Sequence, residues 1–375
     1  MAKCCRQAEA PAPPGWRGRF RPRLLALPGL LALLVLACRA QDEPSPAEAD
    51  WVIRNFTFGT GESLPELRLH YTTLGTAQRD AAGRIHNAIL ILHDTGSSGR
   101  PFLTGGFLGV LFLKGQPLDA TKYFLILPDA IGHGESSKPS DSLRGRFPHY
   151  DDSDMVRAQY LLVHDGLKVE HLRLVLGVGM GGMQTWLWGE RYPDFMDALM
   201  PQASAPAQIA GRQRLFRDMV VDSIRSDPEW KGGEYTSPLR GLLAAQFVQF
   251  LMTTSPGQLQ HYLPTGDVAD AQFQTLKRRF MRAADANDML YQYDSSRNYD
   301  PGPQLERIRV PLFAVNSADD ELNPPELGIL EREIKRVVKG RYILIPASEE
   351  TRGHATAMRA RVWRDYLREL LKVSE

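Results

Sequence analysis

The chain has 375 residues, with 45 lysines and arginines against 44 aspartates and glutamates and a formal net charge of +1. Acidic and basic residues are mixed along it, so nothing points to nucleic acid or to an anionic surface as a partner, and a small-molecule or acyl-type ligand is expected instead. The length suits one large α/β domain with an insertion, or two smaller domains, and either buries a sizeable core.

At the N-terminus, Lys3, Arg6, Arg17, Arg19, Arg21 and Arg23 precede an apolar run from Leu24 to Ala37. Pro28 and Gly29 interrupt this run, and it is too short to span a bilayer as a helix. Residues 1–40 read as a secretory signal, which would make the mature protein secreted or periplasmic. Two processing sites stay open. One is cleavage after Ala40; the other is cleavage before Cys38, where Val35-Leu36-Ala37 loosely resembles a lipoprotein box and Cys38 would carry a lipid anchor. All three cysteines, Cys4, Cys5 and Cys38, fall in this leader, so the mature chain has at most one thiol and neither a disulfide framework nor a cysteine-based metal site.

A polar, Pro-containing link, QDEPSPAEAD, follows. Apolar strand-like runs then alternate with amphipathic segments, the sign of a mostly parallel sheet covered by helices. Strands are expected at Leu67–Gly75, Asn87–Thr95, Tyr123–Gly132, Leu172–Gly179, Asp197–Ser204, Val310–Asp320 and Arg341–Ser348. Several are continuously apolar, as in strands covered on both faces. Between Ser204 and Asn298 the texture turns to charged segments with helical spacing, read as a helical lid insertion over 205–298. The core would then comprise residues 41–204 and 299–375. A second helical layer without a gating role is the alternative reading.

The elements that could carry chemistry fall at the carboxyl ends of expected strands, where open α/β sheets place their ligands. HDTGSSG (His93 to Gly99) ends one strand in a Gly-rich loop whose backbone N–H groups suit an oxyanion. PDAIGHGESSKPSD ends the next, GVGMGG ends a third and opens a helix, NSADDELNPPE follows a later strand, and TRGHATAMRARVW follows the last. In the G-x-S-x-G elbow a serine nucleophile sits at the apex of a sharp strand-to-helix turn. Here the five positions are Gly177, Val178, Gly179, Met180 and Gly181, with glycine at the apex. His93 and His133 read as loop residues that hydrogen-bond backbone. The histidines are scattered and H-E-x-x-H is missing, so no metal or other cofactor is expected.

The order of elbow, acid and histidine is that of the α/β-hydrolases. GMGGMQTW, RYPDFMDALM, ASAP, DSIRSDPEW, DAIGHGESSKPSD and NSADDELNPPE together resemble the homoserine O-acetyltransferase branch, over roughly the whole mature chain. The resemblance implies an α/β-hydrolase fold with a mostly parallel sheet and a helical lid. It implies that Gly179 holds the nucleophile position, Asp320 the acid position and His354 the base position. Asp320 is preferred to Asp319 because the branch spaces its aspartate three residues before a proline, here Pro324. The backbone N–H of Met180 is the implied oxyanion donor, with that of Thr95 as its partner. A homodimer is compatible with the resemblance.

Glycine at the apex has no oxygen with which to attack an acyl carbon. In serine hydrolases loss of the nucleophile costs on the order of 10⁶ in kcat, roughly 8 kcal/mol of barrier. The turn itself survives, because glycine relieves the strain of about 1–3 kcal/mol that a side chain pays at positive φ. Three readings follow. The chain is an impaired ester hydrolase or acyltransferase, a small-molecule binding protein that uses the acyl pocket, or a slow esterase in which His354 and Asp320 activate water. Ser97, Ser98, Ser136, Ser137 and Ser204 lie off the elbow and read as turn or cap residues.

Overall fold

The computed structural model describes residues 45–281 and 284–375. The leader, with Cys4, Cys5 and Cys38, lies outside the described residues.

An eight-stranded sheet organises the chain in the order β1-β2-β4-β3-β5-β6-β7-β8. The strands are β1 (Ala47–Thr57), β2 (Ser63–Leu74), β3 (Ala88–Leu92), β4 (Phe124–Pro128), β5 (Leu174–Val178), β6 (Leu199–Gln202), β7 (Leu312–Ser317) and β8 (Gly340–Ile345). β2 runs antiparallel to both β1 and β4, and the other pairings are parallel. The runs AILIL and LVLGV of β3 and β5 are buried at every position, which is why they read as unbroken apolar stretches rather than alternating ones.

One expectation needs correcting. The segment read as a polar link enters a strand at Ala47, and β1 pairs with β2 from Ala47↔Thr73 to Thr57↔Ser63. β1 is an edge strand with most of its side chains in solvent, so it lacks the apolar run that marked the central strands.

Helices cover both faces: α1 (Asp152–Leu161), α2 (Met180–Arg191), α3 (Gly211–Arg225), α4 (Arg240–Thr253), α5 (Pro256–Tyr262), α6 (Gly266–Phe280), α7 (Ala286–Asp294) and α8 (Ala360–Val373). Five of them, α3 to α7, fall between Ser204 and Asn298. Trp363, Leu367 and Leu370 of α8 pack beneath the sheet with Phe107 and Phe112. Phe216, Val220 and Ile224 of α3 pack with Met289, Leu290 and Tyr293 of α7 and with Met180 at the start of α2. These helices therefore stand over the carboxyl ends of the strands.

The sheet order also places the site. From β3 the chain moves to β4 on one side and later to β5 on the other, so the loops leaving β3 and β5 diverge at a topological switch point. β3 and β5 pair with Leu92 opposite Gly177. Asp94 and Gly179, each two residues further on, thus emerge side by side. Among the described residues no helix is long and apolar enough to cross a membrane.

Candidate active site

Gly179 caps α2 with φ 56° and ψ −114°, a conformation open to glycine and strained for any residue with a side chain. The turn is fixed by backbone bonds: Gly179 N–H donates to Gln202 O (3.0 Å), Gly181 N–H to His93 O (2.9 Å) and Met183 N–H to Gly179 O (2.9 Å). A sharp strand-to-helix bend therefore stands where the sequence placed it.

His354 follows β8 and reaches back to the loop after β7. Its Nδ1 lies 3.0 Å from Asp320 Oδ2 and 3.2 Å from Oδ1. Asp320 is locked in turn by Leu322 N–H to Oδ1 (2.9 Å) and Asn323 Nδ2 to Oδ2 (3.0 Å), and its side chain is fully buried. Asp319 points elsewhere: it accepts from Thr351 Oγ1 (2.9 Å), from Gly353 N–H (3.0 Å) and from the Ser317 hydroxyl. The two neighbouring aspartates thus have different partners. Asp320 meets the imidazole, while Asp319 shapes the loop that carries it.

The residue that sequence reasoning missed is Asp94. Its Oδ1 accepts from Thr95 N–H (2.7 Å) and from Met180 N–H (3.0 Å), the two amides expected to face an oxyanion. Its Oδ2 stands 3.5 Å from His354 Nε2. A carboxylate therefore fills the space between the amides and the imidazole where a serine hydroxyl and a substrate carbonyl oxygen would meet. Met180 is the first residue of α2, so its N–H has no acceptor within the helix, and the positive end of the helix dipole favours the anion there. One signal was available in the sequence: an acidic side chain in a Gly-rich loop whose amides should bind negative charge.

His93 holds the backbone of Asp94 in place. Ala130 N–H donates to its Nε2 (2.9 Å), so its Nδ1 carries the proton and donates to Asp94 O (2.8 Å). Burial pushes the His93 pKa down, in keeping with this neutral form. His133, packed against His93, is pushed to about 3, first by burial and then by the neighbouring imidazole.

The charges are coupled. Burial would lower the His354 pKa, but the carboxylates of Asp320 and Asp94 outweigh it and raise it to about 10. Burial would likewise raise the Asp94 carboxyl, yet the charge of His354, its hydrogen bond and the two amides hold it below its ordinary value. At neutral pH the centre is an imidazolium between two carboxylates.

Asp94, Gly179, Met180 and His354 line a cavity of ≈ 460 Å³. Phe216 and Arg217 of α3 and Tyr293 of α7 close it from the helical segment. Arg217 is buried, and its Nε has no acceptor among the described residues. Three of the serines off the elbow are otherwise engaged: Ser136 donates to Asp129 O, Ser137 accepts from Arg68 N–H, and Ser204 accepts from Trp186 Nε1. No group of three or more His, Cys, Asp or Glu residues among the described ones is arranged to hold a metal.

With this geometry established, comparison with known proteins is direct. The model of the alpha/beta hydrolase fold matches residues 103–348. The chain belongs to the α/β-hydrolase family. Among curated relatives, this α/β-hydrolase is 28% identical over 284 residues to a probable acyltransferase of Methanothermobacter thermautotrophicus, covering 74% of this chain and 84% of that protein. It is 27% identical to homoserine O-acetyltransferase of Haemophilus influenzae, covering 72% and 82%. In fold it is similar to homoserine O-acetyltransferase from Bacillus anthracis (TM-score 0.76, 20% identity, 87% of this chain and 97% of that one). It is also similar to an acetylester hydrolase from Corynebacterium glutamicum (TM-score 0.74, 22% identity, 87% and 96%).

Proposed function

We propose that this α/β-hydrolase is an exported protein of the ester hydrolase and acyltransferase type that takes a small acyl- or ester-like molecule into the cavity without serine-type acyl transfer. The observation that carries this reading is the Asp94 carboxylate on the amides of Thr95 and Met180. Acyl transfer needs an oxygen nucleophile at residue 179 and a pair of donors free to receive the oxyanion. Glycine removes the first, and Asp94 occupies the second with a negative charge that repels another. The apolar walls with a few convergent polar groups suit a small ligand. Slow hydrolysis by a water on His354 is the weaker reading, since an imidazolium held between two carboxylates has no lone pair with which to take a proton.

The test is an assay of the mature chain on p-nitrophenyl acetate and on acetyl-CoA with homoserine, alongside fluorophosphonate labelling. The expected result is no burst and no label in the unaltered chain, and both in the double variant D94G/G179S. A burst from the unaltered chain would end the proposal. Export is tested separately, by locating the full chain in cell fractions.

A further inference from the structure

The two amides at the site point at the protein's own carboxylate. Thr95 N–H and Met180 N–H stand 2.7 and 3.0 Å from Asp94 Oδ1, the distances at which such donors stabilise a developing oxyanion. An incoming ester cannot reach them while Asp94 is in place. The one carbonyl they can serve is that of an ester formed on Asp94 itself, whose carbonyl oxygen would be Oδ1. The second oxygen, Oδ2, makes no such bonds: it faces His354 Nε2 at 3.5 Å, and 31% of the side chain's surface remains accessible in a residue that lines the cavity. One oxygen is fixed in a donor pair and the other is presented to the ligand space.

We propose that Asp94 is a catalytic nucleophile toward an electrophilic saturated carbon, and that the substrate class is a small epoxide with an apolar body. The inference rests on the reading above that the cavity is a small-molecule site without serine-type acyl transfer. A carboxylate attacking an acyl carbon gives a mixed anhydride. Attacking a saturated carbon, it gives an alkyl ester, which suits the donor pair already around Oδ1. The cavity of ≈ 460 Å³ falls in the ordinary range for small-molecule sites, and Met183, Phe216 and Leu322 line it with apolar surface.

The epoxide is favoured over other alkylating groups by the resting proton. Both nitrogens of His354 face carboxylates, so the ring holds a proton on each. In the first step Asp94 Oδ2 bonds to an epoxide carbon, the ring C–O bond breaks, and the released alkoxide takes the Nε2 proton. Asp94 is then a neutral ester, and His354 has lost both its proton and one of the two charges that held it. In the second step His354 takes a proton from water while the water oxygen attacks Cγ, and charge develops on Oδ1 between the two amides. Collapse breaks the Cγ–Oδ2 bond. The departing alkoxide takes the proton from His354, and His354 takes the remaining proton from the new carboxyl group. The sum is epoxide plus water to diol, with the carboxylate and imidazolium restored. The oxygen delivered to the diol comes from Asp94, and the oxygen of water remains in Asp94.

That exchange supplies the test. The mature chain, in molar excess over styrene oxide or epoxyhexane in heavy-oxygen water, should put the label in the peptide carrying Asp94 and leave the first-turnover diol unlabelled. Acid quenching early in that turnover should catch the Asp94 peptide with the mass of the epoxide added, and H354Q, which lacks the proton for the alkoxide as well as the base for water, should form no diol. D94N should lose both adduct and diol, with circular dichroism showing that it folds. Label in the diol but not in Asp94, an adduct on another residue, diol formed by folded D94N, or no diol from either epoxide would each overturn the proposal. Such a failure, with p-nitrophenyl acetate still untouched, would leave the preceding reading standing. Turnover of that ester with a burst would remove the preceding reading instead.

Discussion

Asp94 and Gly179 compete for one volume: a β-carbon built on Gly179 would lie 1.9 Å from Asp94 Oδ1 and 2.3 Å from its Cγ. The cause is the pairing of β3 with β5, which brings both residues out of the sheet side by side. A side chain at 179 would force the Asp94 carboxylate out of its present place on the two amides.

That exclusion predicts the behaviour of the serine variant. G179S alone should be destabilised, by about 1–3 kcal/mol from a side chain at positive φ and by about 1–3 kcal/mol more from overpacking against Asp94. It should also show no ester burst, because the displaced Asp94 carboxylate keeps its negative charge beside the donor pair and repels an oxyanion. D94G/G179S should recover the overpacking part and gain the burst. Urea unfolding of the four members of the cycle would measure this. Additivity to within about 0.5 kcal/mol would mean that the two residues do not couple, contrary to the geometry.

A second prediction concerns the shared proton. Asp94 and Asp320 together raise His354 to about 10. D94N removes the charge beside Nε2 and leaves the Asp320 bond to Nδ1 intact. The His354 pKa should fall, and proton NMR of the imidazole across neutral and alkaline pH should record the shift. An ordinary histidine titration in the unaltered protein would show that no such charge sandwich exists in solution.

These two residues also show what was and was not legible in the sequence. The parallel strands announce themselves because they are buried on both faces, and the elbow because three glycines cluster where helix and strand approach closely. The fold follows from such patterns, while the positions of Gly179, Asp320 and His354 follow from the family resemblance. β1 does not, since an exposed edge strand has no apolar run to mark it. Asp94 was hidden for another reason. Its role comes from the register of β3 against β5 and from an amide 86 residues away at Met180, which joins the Thr95 amide of its own loop. The Gly-rich loop was read for its backbone donors, and the acceptor standing on them belonged to the same loop.

The charge sandwich should also shape the dependence of stability on pH. His354 has a folded pKa raised to about 10, above its unfolded value. Its contribution is therefore present in full below about 6.5 and is lost as pH rises towards and through about 10. Asp94 has a lowered folded pKa, so its contribution is present above about 3.9 and is lost as pH falls through the folded value. The stability difference between the unaltered chain and H354Q should be level from about pH 4 to 6.5 and should shrink on the alkaline side. Chemical denaturation at a series of pH values measures it. A difference that grows with rising pH would contradict the assignment.

The neighbouring aspartates should separate cleanly. D320N removes the charge that faces His354 Nδ1, and its single amide oxygen can accept from only one of Leu322 N–H and Asn323 Nδ2. The His354 pKa should drop. D319N takes a charged acceptor from Thr351 Oγ1 and Gly353 N–H, at a cost of about 1.5–3 kcal/mol for a hydrogen bond to a charged group. This bond ties down the loop that delivers the imidazole, so amide hydrogen exchange at Thr351 and Gly353 should quicken in D319N. The His354 titration should move much less than in D320N, because Asp319 bonds the loop backbone rather than the ring. If instead D319N shifted His354 as far as D320N did, the geometric division of labour between the two carboxylates would be wrong.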